Sequence, residues 1–110
     1  MEPRRDQECD ELRERGAEVK AQARATALDF LRSELEVADT LVTLAETTAN
    51  GETVIRNLRN AWRALKVAQE SAEQLQMDSV ERQAFRDRHG ALCLRLANLQ
   101  IRLPDQGLRD

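Results

Sequence analysis

The chain has 110 residues and a mass of 12.5 kDa, with 17 basic residues against 20 acidic ones and a net charge of −3. That length accommodates one hydrophobic core and excludes a second catalytic domain. The charge is too balanced for a bulk nucleic-acid binder. Ala, Leu, Arg, Glu and Lys supply 59 of the residues, a composition of long helices, while three aromatics, four glycines and prolines only at positions 3 and 104 leave little turn chemistry for β-hairpins. All-β and α/β folds are excluded on this basis.

The first predicted helix spans roughly residues 5–49. Its second half carries Leu28, Leu31, Leu35, Ala38, Val42 and Ala45 at helical spacing, an apolar stripe that wants a core. Its first half is dense in charge but threaded by a thinner seam. Cys9, Leu12, Gly16, Val19, Ala23, Thr26 and Phe30 follow alternating steps of 3 and 4, the spacing of a coiled-coil face. Ala49-Asn50-Gly51 then reads as the stop of this helix, because Asn and Gly tolerate the left-handed backbone of a C-terminal cap.

The second helix, roughly 53–76, shows Val54, Leu58, Ala61, Leu65, Ala68, Ala72 and Leu75 on one face, with Ile55 and Trp62 widening one edge. A break at Met77-Asp78-Ser79 follows. Asp78 stands three residues before Glu81, the pattern of a reciprocal capping box at a helix start. The third helix, roughly 79–103, carries Phe85, His89, Leu92, Leu96, Leu99 and Leu103, and Pro104 ends it. Leu94 and Ile101 lie about 200° around this helix from the Leu stripe, facing away from the core.

Short connections force antiparallel neighbours, so the expected fold is all-α: an antiparallel three-helix bundle with an over-long first helix. Helices 2 and 3 would each run roughly 36 Å and a continuous helix 1 roughly 65 Å. Residues 1–24 thus form a charged helical extension or dimer arm, residues 25–104 the bundle, and residues 105–110 a disordered tail. Two ways of covering the overhang stand open. The chain bends near Gly16 and lays a short fourth helix over helix 3, or a second chain covers it in a symmetric dimer, whose candidate seam is Leu12, Gly16, Val19, Ala23, Leu94 and Ile101. The dimer is the favoured expectation, since an alanine-rich, aromatic-poor core of this size buries little area alone.

Chemistry-bearing residues are few. Cys9 and Cys93 form no C-x-x-C pair and read as free thiols. His89 is the single histidine, expected as a core-edge imidazole bonded to a polar neighbour; Arg86 stands three residues before it, which excludes the Glu-x-x-His ligand pairs of di-iron bundles. Nucleotide, zinc-protease and EF-hand motifs are absent, so neither cofactor nor metal nor enzymatic activity is expected. With no long apolar run and no apolar signal region near Met1, the expectation is a soluble, cytoplasmic protein without a membrane partner.

Charge is segregated by segment. Residues 29–52 hold Asp29, Glu34, Glu36, Asp39, Glu46 and Glu52 against Arg32, whereas residues 53–70 hold Arg56, Arg59, Arg63 and Lys66 against Glu70. Attraction between helices 1 and 2 is the plain account, each solvated pair contributing about 0.2–1 kcal/mol. The sharper account is a candidate partner-binding strip of Arg56, Arg59, Trp62, Arg63 and Lys66, suited to an acidic helical protein or, as the alternative, to a nucleic-acid phosphate backbone. Trp62 is either a core-boundary residue or, if exposed, the anchor of that strip.

The hairpin from Leu41-Val42-Thr43-Leu44-Ala45 through Asn50-Gly51 into Ala61-Trp62-Arg63-Ala64-Leu65-Lys66-Val67-Ala68, followed by a third helix, resembles small helical modules of the TPR-like and MIT-like kind over roughly residues 28–103. That resemblance implies protein or peptide recognition in a groove between helices. The function expected from the whole is a non-enzymatic interaction or structural module acting as a homodimer.

Overall fold

The computed structural model describes residues 3–102, with side chains from Gln7 onward. Leu103, Pro104 and the expected tail at 105–110 lie outside the described residues. The described residues form three helices: α1 (Pro3–Thr47), α2 (Gly51–Gln74) and α3 (Ser79–Arg102). They form an antiparallel bundle in which the 45 residues of α1 run about 68 Å. At about 1.5 Å per residue the 24 residues of α2 or α3 cover about 36 Å, little more than half of α1.

The predicted stripes meet in one core. Leu31, Leu35, Ala38, Val42 and Ala45 of α1 pack with Val54, Leu58, Ala61, Leu65 and Ala68 of α2 and with Phe85, Leu92, Leu96 and Leu99 of α3. Val42, Leu58, Leu65 and Leu96 are its largest fully sealed side chains. Ile55, Trp62, Ala72, Leu75 and Met77 close its edges. The smallest core side chains, Ala38, Ala45, Ala61, Ala64 and Ala68, all come from α1 and α2, and these two helices pack against each other far more closely than either packs against α3. Small side chains let the backbones approach; the bulkier Phe85, Leu92 and Leu96 hold α3 further off.

Both helix starts are capped. At α3, Asp78 Oδ1 accepts from the Glu81 amide at 2.8 Å and Glu81 Oε1 accepts from the Asp78 amide at 3.0 Å, the reciprocal capping box expected from the sequence. At α2 the structure corrects the sequence reading. Asn50 is extended (φ −84°, ψ 115°), not left-handed, and its Oδ1 accepts from the Thr53 amide at 3.1 Å, so Asn50-Gly51 starts α2 and does not cap α1. Helix α1 has already ended at Thr47, where the Thr48 hydroxyl accepts from the Asn50 amide at 3.3 Å.

The bend at Gly16 does not occur. Helix α1 runs through it without interruption, and no other atom lies within 4 Å of where a Cβ would stand. One glycine costs a helix only about 1 kcal/mol relative to alanine, which the flanking turns readily offset. Every residue from Gln7 to Thr26 is exposed, and burial begins only at Ala27 and Leu28. The first half of α1 therefore projects beyond the bundle as a bare helix.

Candidate interaction surface

Two arginines fix the level at which α1 meets the other helices. Arg24 donates from Nε to the Gln76 carbonyl at 3.3 Å and pairs with Glu81, which pins the start of the packed half of α1 to the α2–α3 loop. Arg95 of α3 spans Asp39 (3.1 Å), the Thr43 hydroxyl (3.2 Å) and both carboxylate oxygens of Glu46 (2.5 and 3.2 Å). These contacts hold the Glu46 carboxyl below its ordinary pKa and push the Arg95 guanidinium up, in each case chiefly through the side-chain bond between the two. This corrects the electrostatic expectation. Among the described residues, the ion pairs that join helices tie α1 to α3, and none joins the acidic face of α1 to the basic row of α2. The close alanine packing holds α1 and α2 together without them.

His89 takes the core-edge place expected of it. Its Nε2 lies 3.0 Å from the Leu65 carbonyl of α2, its ring stacks on Phe85 at 5.2 Å, and the Cys93 thiol lies 3.7 Å from Nδ1. A carbonyl can only accept, so Nε2 carries the proton it donates to Leu65. Burial pushes the Cys93 thiol up, away from thiolate chemistry. Among the described residues no group of three or more His, Cys, Asp or Glu could hold a metal ion, and both cysteines are free. No described helix is long and apolar enough to cross a membrane.

The basic row stands in solvent. Arg56, Arg59, Arg63 and Lys66 are all exposed and make no ion pair among the described residues. Trp62, expected either as core boundary or as exposed anchor, is half-buried against the core with its indole nitrogen sealed from solvent. A groove of about 360 Å³ opens between α1 and α3, floored by Leu31, Leu35 and Phe85 and rimmed by Arg32, Glu81 and Arg88.

The candidate dimer seam divides in two. Leu12, Gly16, Val19 and Ala23 share one side of the projecting half of α1, with Leu12 65 % and Val19 64 % exposed. Leu94 and Ile101, 63 % and 79 % exposed, lie on the outer side of α3. Because Arg95 sits level with Asp39 to Glu46, Leu94 is about 45 Å along the axis from Leu12 of the same chain. What the sequence reading missed is the continuation of the α1 seam past Phe30. The same alternating steps run on through Ser33, Val37, Thr40, Leu44 and Thr47, all exposed, and Phe30, Val37 and Leu44 are each about half exposed. The seam thus occupies α1 from end to end, beside the buried stripe.

Comparison of the chain with protein-family models, with curated proteins and with solved structures finds no match.

Proposed function

We propose that this chain is a non-enzymatic protein–protein interaction module that works as a homodimer through the exposed seam of α1. The observation that carries this reading is the projecting half of α1. A helix of about 20 residues outside any core is marginal in water, yet this one presents Leu12 and Val19 on one side, an arrangement that a partner helix would stabilise. Resemblance to TPR-like and MIT-like modules points the same way, towards recognition of protein. The two free thiols fit a reducing compartment and support a cytoplasmic location.

The test is the absolute mass of the full chain by light scattering across a concentration series, with Val19→Asp beside it. A dimer mass for the native chain and a monomer mass for Val19→Asp is the expected pair of results. A native chain that stays monomeric at every concentration would remove the reading.

A second reading concerns α2. Four exposed cations without ion-pair partners among the described residues, Arg56, Arg59, Arg63 and Lys66, suit an acidic helical protein better than nucleic acid, because the chain is acidic overall and Trp62 beside them is packed half-buried against the core. Fluorescence anisotropy with a labelled Glu-rich helical peptide and with a labelled oligonucleotide separates the two, the expected result being salt-sensitive binding of the peptide alone.

A further inference from the structure

The seam of α1 has a definite register for a second copy of itself. Positions 9, 12, 16, 19 and onward to 44 and 47 alternate by 3 and 4 over 39 residues, are all exposed and are all uncharged, on a helix otherwise dense in charge. That is the inner face of a heptad repeat lacking a partner. The charges beside the face are largely segregated along it: Arg13, Arg15 and Lys20, with Glu8 at the end, flank the projecting half, and Asp29, Glu34 and Glu36 flank the packed half.

We propose that α1 pairs with α1 of a second copy as an antiparallel coiled coil whose two-fold axis passes between Arg24 and Ala25. This rests on the self-association reading above and adds its geometry. In this register Leu12 meets Val37 of the second copy, Val19 meets Phe30, Gly16 meets Ser33 and Ala23 meets Thr26, each layer formed twice by symmetry. The flanks then match as well. Arg13 faces Glu34 of the second copy and Arg15 faces Glu36, giving four opposite-charge pairs and no like-charge pair.

Other alignments oppose like charges. A parallel, in-register pair sets Arg15 against Lys20 and Asp29 against Glu34, each twice, against only two Glu8–Arg13 pairs. Sliding the antiparallel pair by one heptad sets Lys20 on Lys20 and Glu8 on Glu36 beside two Arg15–Asp29 pairs, and sliding it the other way sets Asp29 on Asp29 beside two Lys20–Glu34 pairs, so each slide mixes like and opposite charges. The proposed register is the one of these with four opposite-charge pairs and no like-charge pair.

The fold leaves room for that arrangement. Arg24 sits at the level where the bundle begins, bonded to Gln76 and paired with Glu81, so a two-fold beside it puts the two bundles in opposite halves of the dimer. Each projecting half of α1 would then lie along the packed half of its partner, on the flank away from Arg95, and cover Phe30 and Val37.

The experiment uses three full-length chains in sedimentation equilibrium: the native one, Arg13→Glu with Arg15→Glu, and Glu34→Arg with Glu36→Arg. None of these four residues makes an ion pair among the described residues, and helix content by circular dichroism reports that each variant folds. Each double variant alone is expected to weaken self-association about 10- to 100-fold, and an equimolar mixture of the two to restore native affinity, because all four pairs reform with exchanged signs. A dimer that ignores both reversals, or that Glu34→Arg with Glu36→Arg tightens, as a parallel pair would require, overturns the antiparallel register while leaving self-association standing. A native chain that is monomeric throughout overturns both.

Discussion

Arg95 of α3 grips the carboxylate of Glu46 in α1 with two nitrogens, Nε at 3.2 Å and Nη2 at 2.5 Å, and reaches Asp39 about two turns away at 3.1 Å. It is the principal polar tie holding the loosest helix, α3, against the longest. Because the pairing is partly solvent-exposed, its worth is that of a good surface network, on the order of 1 kcal/mol.

The tie has a pH signature. Glu46 is held below its ordinary pKa of 4.5 by the bond to Arg95, so the folded state favours the charged carboxylate. Stability from this source is fully present above the ordinary value and is lost as pH falls through the lower, folded value. Thermal melts of the native chain and Glu46→Gln are expected to differ at pH 7 and to converge in acid below 4.5. A gap that stayed constant into strong acid would show that Glu46 acts through packing instead.

Ala61 is completely buried among the alanines that bring α1 and α2 together. Ala61→Leu adds volume where the backbones approach most closely and is expected to cost about 1–3 kcal/mol in chemical denaturation. The same change at Ala84, exposed on α3, is expected to be close to neutral.

Asn50→Ala removes the side-chain acceptor for the Thr53 amide and is expected to cost about 1 kcal/mol, whereas Asn50→Gly is expected to cost only a few tenths. That ranking belongs to an N-cap. A left-handed C-cap would reverse it, with glycine the stabilising substitution.

Gly16→Ala meets no obstruction and replaces the poorest helix former in the projecting half of α1 by the best. Helicity by circular dichroism is expected to rise, with a gain of about 0.8–1 kcal/mol in helix stability. An unchanged spectrum would mean that α1 is already fully ordered there by other contacts.

Much of this was legible in the residues. The three stripes, from Leu28 to Ala45, Val54 to Leu75 and Phe85 to Leu103, are long and strongly periodic, and their middle residues are the core observed, whereas Leu28, Ala72, Leu75 and His89 are only half-buried at its edges. Asn50 was misread because Asn followed by Gly suits both the end of one helix and the start of the next; only the backbone angles and the bond to Thr53 decide between them. The pairing of Asp39 and Glu46 with Arg95 was hidden for a different reason. Charge segregation between helices 1 and 2 is a one-dimensional signal, whereas the partner comes from α3, 49 residues away from Glu46.

The seam shows a subtler limit. Its first half stood out because no other apolar stripe competes in residues 9–23, but Val37 and Leu44 lie beside the buried Ala38 and Ala45 and read as the fringe of the core. Only the exposure of both halves reveals that they form one face. Leu94 and Ile101 are exposed on the outer side of α3, level with the packed half of α1.

The account turns on the direction in which two copies of α1 meet, and one distance reports it. A spin label on Cys9 of the full chain, with Cys93→Ala to leave a single site, gives two labels per dimer. Antiparallel pairing about the axis between Arg24 and Ala25 puts the two positions 31 residues apart along the coiled coil, about 46 Å by pulsed dipolar spectroscopy. A distance of about 10 Å, the spacing of neighbouring helices side by side, would contradict it.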